Sequence, residues 1–150
     1  MSDKKRIIII RGIPGSGKTT YVKKHYPEAV VCSADDYFEE VAGLNGTSYE
    51  EEFKPWLVGK AHAHCRDFFN LMTEVMEDPL IVVDNTHINI WEYETDYLDS
   101  GERRGYEVEI VEIPFEADKA KVYHERNTHG VPLDVIERMI KHYEPLESGL

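Results

Sequence analysis

Apolar residues fall in short blocks separated by longer mixed stretches. RIIIIR (6–11), AVVCS (29–33) and LIVVD (80–84) are continuous apolar runs, the pattern of strands covered on both faces. YEVEIVEI (106–113) instead mixes Val108, Ile110 and Val111 with Glu107, Glu109 and Glu112, which fits a strand nearer a sheet edge. The stretches between are helical in period. One helix is expected to follow Gly17 and end near Pro27. A long one is expected over 50–77, with Phe53, Leu57, Cys65, Phe68, Met72 and Val75 near one face and Asp78-Pro79 as its stop. Another runs from about Asn89 to Arg104, with Gly105 as its C-terminal stop. Helices over 117–127 and 133–143, the second after Pro132, close the chain, and ESGL (147–150) is expected to be loose. Strands alternating with helices predict an α/β fold built on a parallel sheet.

One junction between strand and helix carries chemistry. GIPGSGKT, residues 12–19, matches G-x-x-x-x-G-K-[ST], with IIII before it as a strand and TTYVKKHY after it as a helix. Glycines let the backbone turn tightly and approach phosphate oxygens, and the loop N–H groups face the anion together with the helix N-terminus. The expected ATP-binding residues are Gly12, Pro14, Gly15, Ser16, Gly17, Lys18, Thr19 and Thr20. Lys18 would reach the β/γ phosphates, and the Thr19 hydroxyl would ligate Mg²⁺. The expected architecture is therefore a P-loop NTPase-type parallel sheet with helices on both faces and a helical lid near the C-terminus.

In an open α/β sheet, ligands bind beyond the carboxyl ends of the strands. The second strand is followed by SADDYF and the third by DNTHIN. Asp84 is expected to hold Mg²⁺ with Thr19, or else to cap a turn. Asn85, Thr86 and His87 are expected to contact the acceptor, while Asn89 reads better as a helix cap. Asp35 is the expected general base for a hydroxyl, and Asp36 suits the start of the next helix. Arg126, on a segment between the last two helices, is expected to close over the triphosphate and stabilise charge in the transition state.

Composition narrows the partners. The 150 residues carry a net charge of −12, yet residues 1–30 hold seven Lys/Arg against two acids. Basic groups are thus focused on the phosphate loop, and a long duplex-binding track is not expected. Cys32 and Cys65 lie far apart in apolar surroundings, which points to a reducing interior and a cytoplasmic location. No signal peptide and no membrane span are expected, and one domain over 1–150 is. His62, His64 and Cys65 in AHAHC look like zinc ligands, but residues two apart on a helix diverge. Phe53 and Trp56 read as core or as pocket wall.

GIPGSGKTT, SADDYF, IVVDNT and ERNTHGVPLDVIERMIKHYE together resemble the 5′-kinase domain of phage-type polynucleotide kinases and their zeta-toxin-like relatives. The resemblance covers the chain from end to end. It implies an ATP- and Mg²⁺-dependent kinase with Asp35 as base, Lys18 and Thr19 in their phosphate and metal roles, and Arg126 as lid arginine. One position departs: those enzymes carry an arginine three residues after the base, where it helps engage a polynucleotide, and this chain has Phe38. Phe38 is expected either to stack on an acceptor base or sugar or to pack in the core. The expected acceptor is the 5′-hydroxyl of a polynucleotide end. The alternatives are a small-molecule hydroxyl (nucleoside, modified nucleotide or nucleotide sugar) and a nucleotide-binding module without turnover.

Overall fold

The computed structural model describes residues 4–146; the ESGL expectation lies outside the described residues. Four strands, β1 (Arg6–Arg11), β2 (Val30–Cys32), β3 (Leu80–Asp84) and β4 (Glu107–Glu112), form a wholly parallel sheet in the order β2-β3-β1-β4. The run of isoleucines explains why β1 is central. Ile7 and Ile9 pack on one face with Cys65, Phe69, Tyr93 and Tyr97, while Ile8 and Ile10 pack on the other with Val22. A strand apolar on both sides needs cover on both, and the helices supply it. β4 is an edge strand, as its alternation indicates. β2 is the other edge, only three residues long despite its continuous apolar run.

α1 (Lys18–His25) follows the phosphate loop, and α2 (Asp35–Asn45), a helix not anticipated over its full length, follows β2 and ends at Gly46. The expected helix over 50–77 is broken. α3 (Tyr49–Glu52) is a single turn, a 3₁₀ turn spans Pro55–Leu57, and only then does α4 (Val58–Asn70) begin, running on through a wider turn at Leu71–Val75. Pro55 is the cause. It supplies no N–H, and it drives Lys54 to φ −137°, ψ 134°, outside helical space. The apolar face shifts accordingly. Ala61, Cys65 and Phe69 are buried, whereas Trp56 and Val75 are 77% and 68% exposed.

α5 (Trp91–Tyr93) continues through a wide turn at Glu94–Asp99 into α6 (Ser100–Arg103), and Gly105 stops it at φ 88°. α7 (Ala120–Arg126) and α8 (Leu133–His142, after Pro132) come last. Their apolar faces form a separate cluster in which Tyr123 and Ile136 pack around Ile13 of the phosphate loop and Ile88.

Arg11 ends β1 and is fully buried. Its Nε donates to the His87 carbonyl at 2.9 Å, and its terminal nitrogens donate to Glu112, to the Ile88 carbonyl at 3.1 Å and to the Glu144 carbonyl. The guanidinium lies over the rings of Tyr93 and Tyr143. Glu112 in turn accepts from the Tyr143 hydroxyl and the Leu146 N–H, and the Glu144 N–H donates back to Ile88. Arg11→Met keeps the length but takes the side-chain donor from the His87 and Glu144 carbonyls and the counter-charge from Glu112. The variant should lose about 3–5 kcal/mol of unfolding free energy in urea titration, and a stability equal to the wild type would contradict this role.

Candidate active site

The carboxyl ends of the neighbouring strands β2, β3 and β1 meet side by side. Strand register pairs Ile10 with Asp84 and Cys32 with Val83, so the phosphate loop, Ser33–Asp36 and Asp84–Asn89 leave the sheet together. The Gly12 N–H donates to the Thr86 carbonyl at 3.1 Å, and the Ala34 N–H donates to Asn85 Oδ1 at 2.9 Å. Each of these bonds joins two of the loops.

Within the phosphate loop, Ile13 and Pro14 are buried and Gly17, at φ 103°, opens α1. Gly15 has φ 81°, and a Cβ there would lie 2.0 Å from the Tyr123 carbonyl oxygen. No side chain fits, so α7 rests directly on the loop. The Ser16 hydroxyl is buried with no hydrogen-bond partner among the described residues. Lys18 is half-buried; burial pushes its ammonium below the usual lysine range, and the carboxylates of Asp84 and Asp35 oppose that. Burial raises the Asp84 carboxyl, with Lys18 opposing, and Asp84 Oδ1 is also buried with no partner among the described residues. Thr19 and Thr20 are exposed on the first turn of α1. An unsatisfied hydroxyl, an unsatisfied carboxylate oxygen, a lysine and a helix N-terminus make a fitting cradle for a polyphosphate with a hard divalent cation. Among the described residues no group of three or more His, Cys, Asp or Glu side chains could hold a metal ion. Magnesium commonly takes one or two protein carboxylates and completes its shell from phosphates and water.

The adjacent acids of SADDYF diverge. The Asp35 N–H donates to Ser33 Oγ at 3.2 Å and the Asp36 N–H to the Ser33 carbonyl at 3.2 Å, which starts α2. The Asp35 side chain is 53% exposed and within electrostatic reach of Lys18. Its Oδ1 accepts a 2.7 Å hydrogen bond from the Tyr49 hydroxyl, and its Oδ2 lies 3.9 Å from His129 Nε2. Asp36 is more enclosed. Burial, then the charges of Glu40 and Asp35, push its carboxyl up to about 6, with His64 opposing.

The residues expected at the acceptor mostly pack. Phe38 is 2% exposed, with its ring against Tyr37, Tyr49 and Phe53, which is the packed one of its two expected positions. Asn85 is buried; its amide reaches Cys65 Sγ and His87 Nε2. Thr86 is half-buried. His87 is buried at φ 47°, its ring beside Tyr93 and Tyr97, and burial drives its imidazole down to about 3, so it is neutral. These side chains pack behind the strand ends, and Asn85 ties its loop to the one after β2. Asn89 makes two bonds to Glu92 Oε2, the local pairing of a helix start. Arg126 ends α7, exposed and with no hydrogen bond or ion pair among the described residues.

On α4, His64 pairs with Glu40 while Cys65 is buried beneath Asn85 and the Tyr97 hydroxyl, so the AHAHC side chains diverge. His62 is half-buried, with its imidazole lowered by burial and supported by Glu92 and Asp35. Sequence reasoning passed over Arg11, Tyr49 and His129. Only Tyr49 had a local signal: Ser48 and Glu51 form the capping box that starts its helix.

The chain is 31% identical over 148 residues to NEDD4-binding protein 2 of Homo sapiens, covering 95% of this chain and 8% of that protein. It is 26% identical over 157 residues to YLP motif-containing protein 1 of Rattus norvegicus, covering 92% of this chain and 11% of that one. It therefore spans a small part of these curated relatives. Among solved structures, a gluconokinase from Sinorhizobium meliloti 1021 superposes with a TM-score of 0.59 at 13% identity, over 95% of this chain and 77% of the other. That likeness shows the fold, a parallel sheet flanked by helices of the P-loop NTPase type. The family model described as AAA domain (AAA_33) matches residues 7–146, and the chain belongs to that family.

Proposed function

We propose that this domain is an ATP-dependent kinase that transfers the γ-phosphoryl group to a hydroxyl, and that the acceptor is the 5′-hydroxyl of a polynucleotide end. The observation that carries the reading is that Lys18 lies within electrostatic reach of two carboxylates of different surroundings. Asp84 is enclosed beside the phosphate loop, while Asp35 is open to solvent on the acceptor side. A nucleotide switch needs the first carboxylate and not the second.

The phosphates of ATP would lie on the loop N–H groups, with Ser16 and Lys18 around them. Thr19 and Asp84 would hold Mg²⁺, which supplies charge neutralisation between the β and γ phosphates. Asp35 Oδ2 would accept the proton of the acceptor hydroxyl as its oxygen bonds to the γ phosphorus. The bond from that phosphorus to the β–γ bridging oxygen breaks, and ADP leaves. Arg126 is exposed and has no ion pair among the described residues, and it would reach the phosphates as charge spreads over the transferring group. Asn85, Thr86 and His87 support the acceptor wall, and Phe38 supports it from behind. A chain end requires few phosphate contacts, which suits an acidic protein better than a long track would. The two free buried cysteines suit a reducing, cytoplasmic setting.

A small-molecule hydroxyl is the second reading. It is favoured by the acids near Asp35 on α2 and α3 (Glu39, Glu40 and Glu50 to Glu52) and by the burial of Phe38.

The test is transfer of γ-labelled phosphate from ATP with Mg²⁺ to a short 5′-hydroxyl oligonucleotide and, separately, to a mixture of nucleosides. Label on the oligonucleotide is expected, with a shallow dependence on salt. Label on the nucleosides alone would move the assignment to the second reading, and label on neither acceptor would oppose both. Arg126→Ala should lower turnover about 10³-fold while acceptor KM changes little; an equal loss in both would make Arg126 a binding residue only.

A further inference from the structure

The α3 turn has more local constraints than its length requires. Ser48 and Glu51 cap it reciprocally at 3.1 and 2.8 Å, and Glu52 accepts from the Thr47 hydroxyl at 2.6 Å and from the Asn45 amide at 3.1 Å. What this holds in place is Tyr49, 9% exposed. Its ring meets Phe38 edge-on at 5.4 Å, and Phe53 stacks on it with centroids 6.0 Å apart. His129 stacks on it at 3.9 Å. With its ring fixed by these three neighbours, the hydroxyl donates to Asp35 Oδ1 at 2.7 Å.

His129 comes from the loop between α7 and α8. Asn127 Oδ1 accepts from the His129 N–H at 2.6 Å, and His124 Nδ1 pairs with the Val131 carbonyl at 2.9 Å, so the loop is fastened to α7. The same α7 rests its Tyr123 carbonyl on Gly15. One helix-and-loop unit therefore touches the phosphate loop at one end and the Tyr49–Asp35 pair at the other.

We infer that Tyr49 is a positioning residue for the general base: its hydroxyl ties down one oxygen of Asp35 so that the other faces the acceptor, and His129 clamps Tyr49 from the lid side. This rests on the base role of Asp35 proposed above. A carboxylate on a short side chain rotates freely when exposed. A hydrogen bond to one oxygen selects the rotamer and leaves the second oxygen's lone pairs for the incoming proton. His129 Nε2, at 3.9 Å from both Asp35 and Glu39, is beyond hydrogen-bond distance of either, so its direct contact with the pair is the stacked ring.

Tyr49→Phe tests this because it removes the hydroxyl and keeps every ring contact. The expected result is a kcat lower by about tenfold to a hundredfold, with KM for ATP and the melting temperature unchanged. Combined with Asp35→Asn, it should slow transfer no further than Asp35→Asn alone. Wild-type kcat in Tyr49→Phe, with Asp35→Asn inactive, would overturn the positioning role and leave the base reading standing. Full transfer by Asp35→Asn would overturn both.

A second readout needs no acceptor. The charged groups facing Tyr49 are Asp35 and Glu39 from α2, Glu50 on its own helix and His129 from the lid loop. Burial and the Asp35 charge hold its phenol above the ordinary tyrosine range. In ¹³C-tyrosine-labelled protein, the ring-carbon resonance missing from Tyr49→Phe should still report a protonated phenol above pH ~10. That titration should move to lower pH in Asp35→Asn, and indifference to that substitution would contradict the bond.

Discussion

The guanidinium of Arg11 sits at the closed end of the site, one residue before the phosphate loop begins. A buried cation is tolerated only when its donors are used and its charge is met, because the cost of leaving water is several kcal/mol. Arg11 meets that condition with partners from three distant parts of the chain: the carbonyls of His87 and Ile88, the carboxylate of Glu112 and the carbonyl of Glu144. The left-handed backbone at His87, rare outside glycine, brings one of those carbonyls into place. Because the His87 segment is held there, Thr86 sits where its carbonyl can take the Gly12 N–H. The rear of the crevice is thus one fastened unit, and the loop that would hold phosphate is pinned to it at its first residue.

Against that fixed floor, the open side is built from short pieces. α2 and α3 bring Asp35 and Tyr49, and the α7–α8 unit lies across them, touching Gly15 at one end and Tyr49 at the other. Behind the strand ends Asn85 is taken up by neighbouring loops, whereas His87 Nδ1 is buried with no partner among the described residues. Ser16 Oγ and Asp84 Oδ1, in and beside the glycine-rich loop, are buried with no partner among the described residues. Buried polar atoms are nearly always bonded, so two such atoms beside one lysine argue for a ligand that supplies the missing partners.

The strands, the phosphate loop and the order of its neighbours were legible because each signal is local: an apolar run, a glycine spacing, a Gly stop at 105. The helix expected over 50–77 rests on apolar spacing alone, and the missing N–H at Pro55 outweighs a periodic face. Asp35 was legible as a carboxylate at a strand end, but its surroundings were not. Tyr49, 14 residues on, and His129, reached only through the lid loop, are brought to it by packing that no short pattern encodes. Arg11 carries no local signal, since the nearest carbonyl that its guanidinium bonds lies 76 residues away. Phe38, where the resembling enzymes carry arginine, turned inward to a cluster of rings that periodicity alone does not foresee.

The central claim is that Asp35 does chemistry and not binding. The most direct test is single-turnover transfer by Asp35→Asn at saturating ATP, with ATP affinity measured on the same protein by calorimetry. The account predicts unchanged ATP affinity and loss of phosphoryl transfer by 10² to 10⁴-fold, on the order expected for a general base. Transfer at the wild-type rate with ATP bound normally would contradict it.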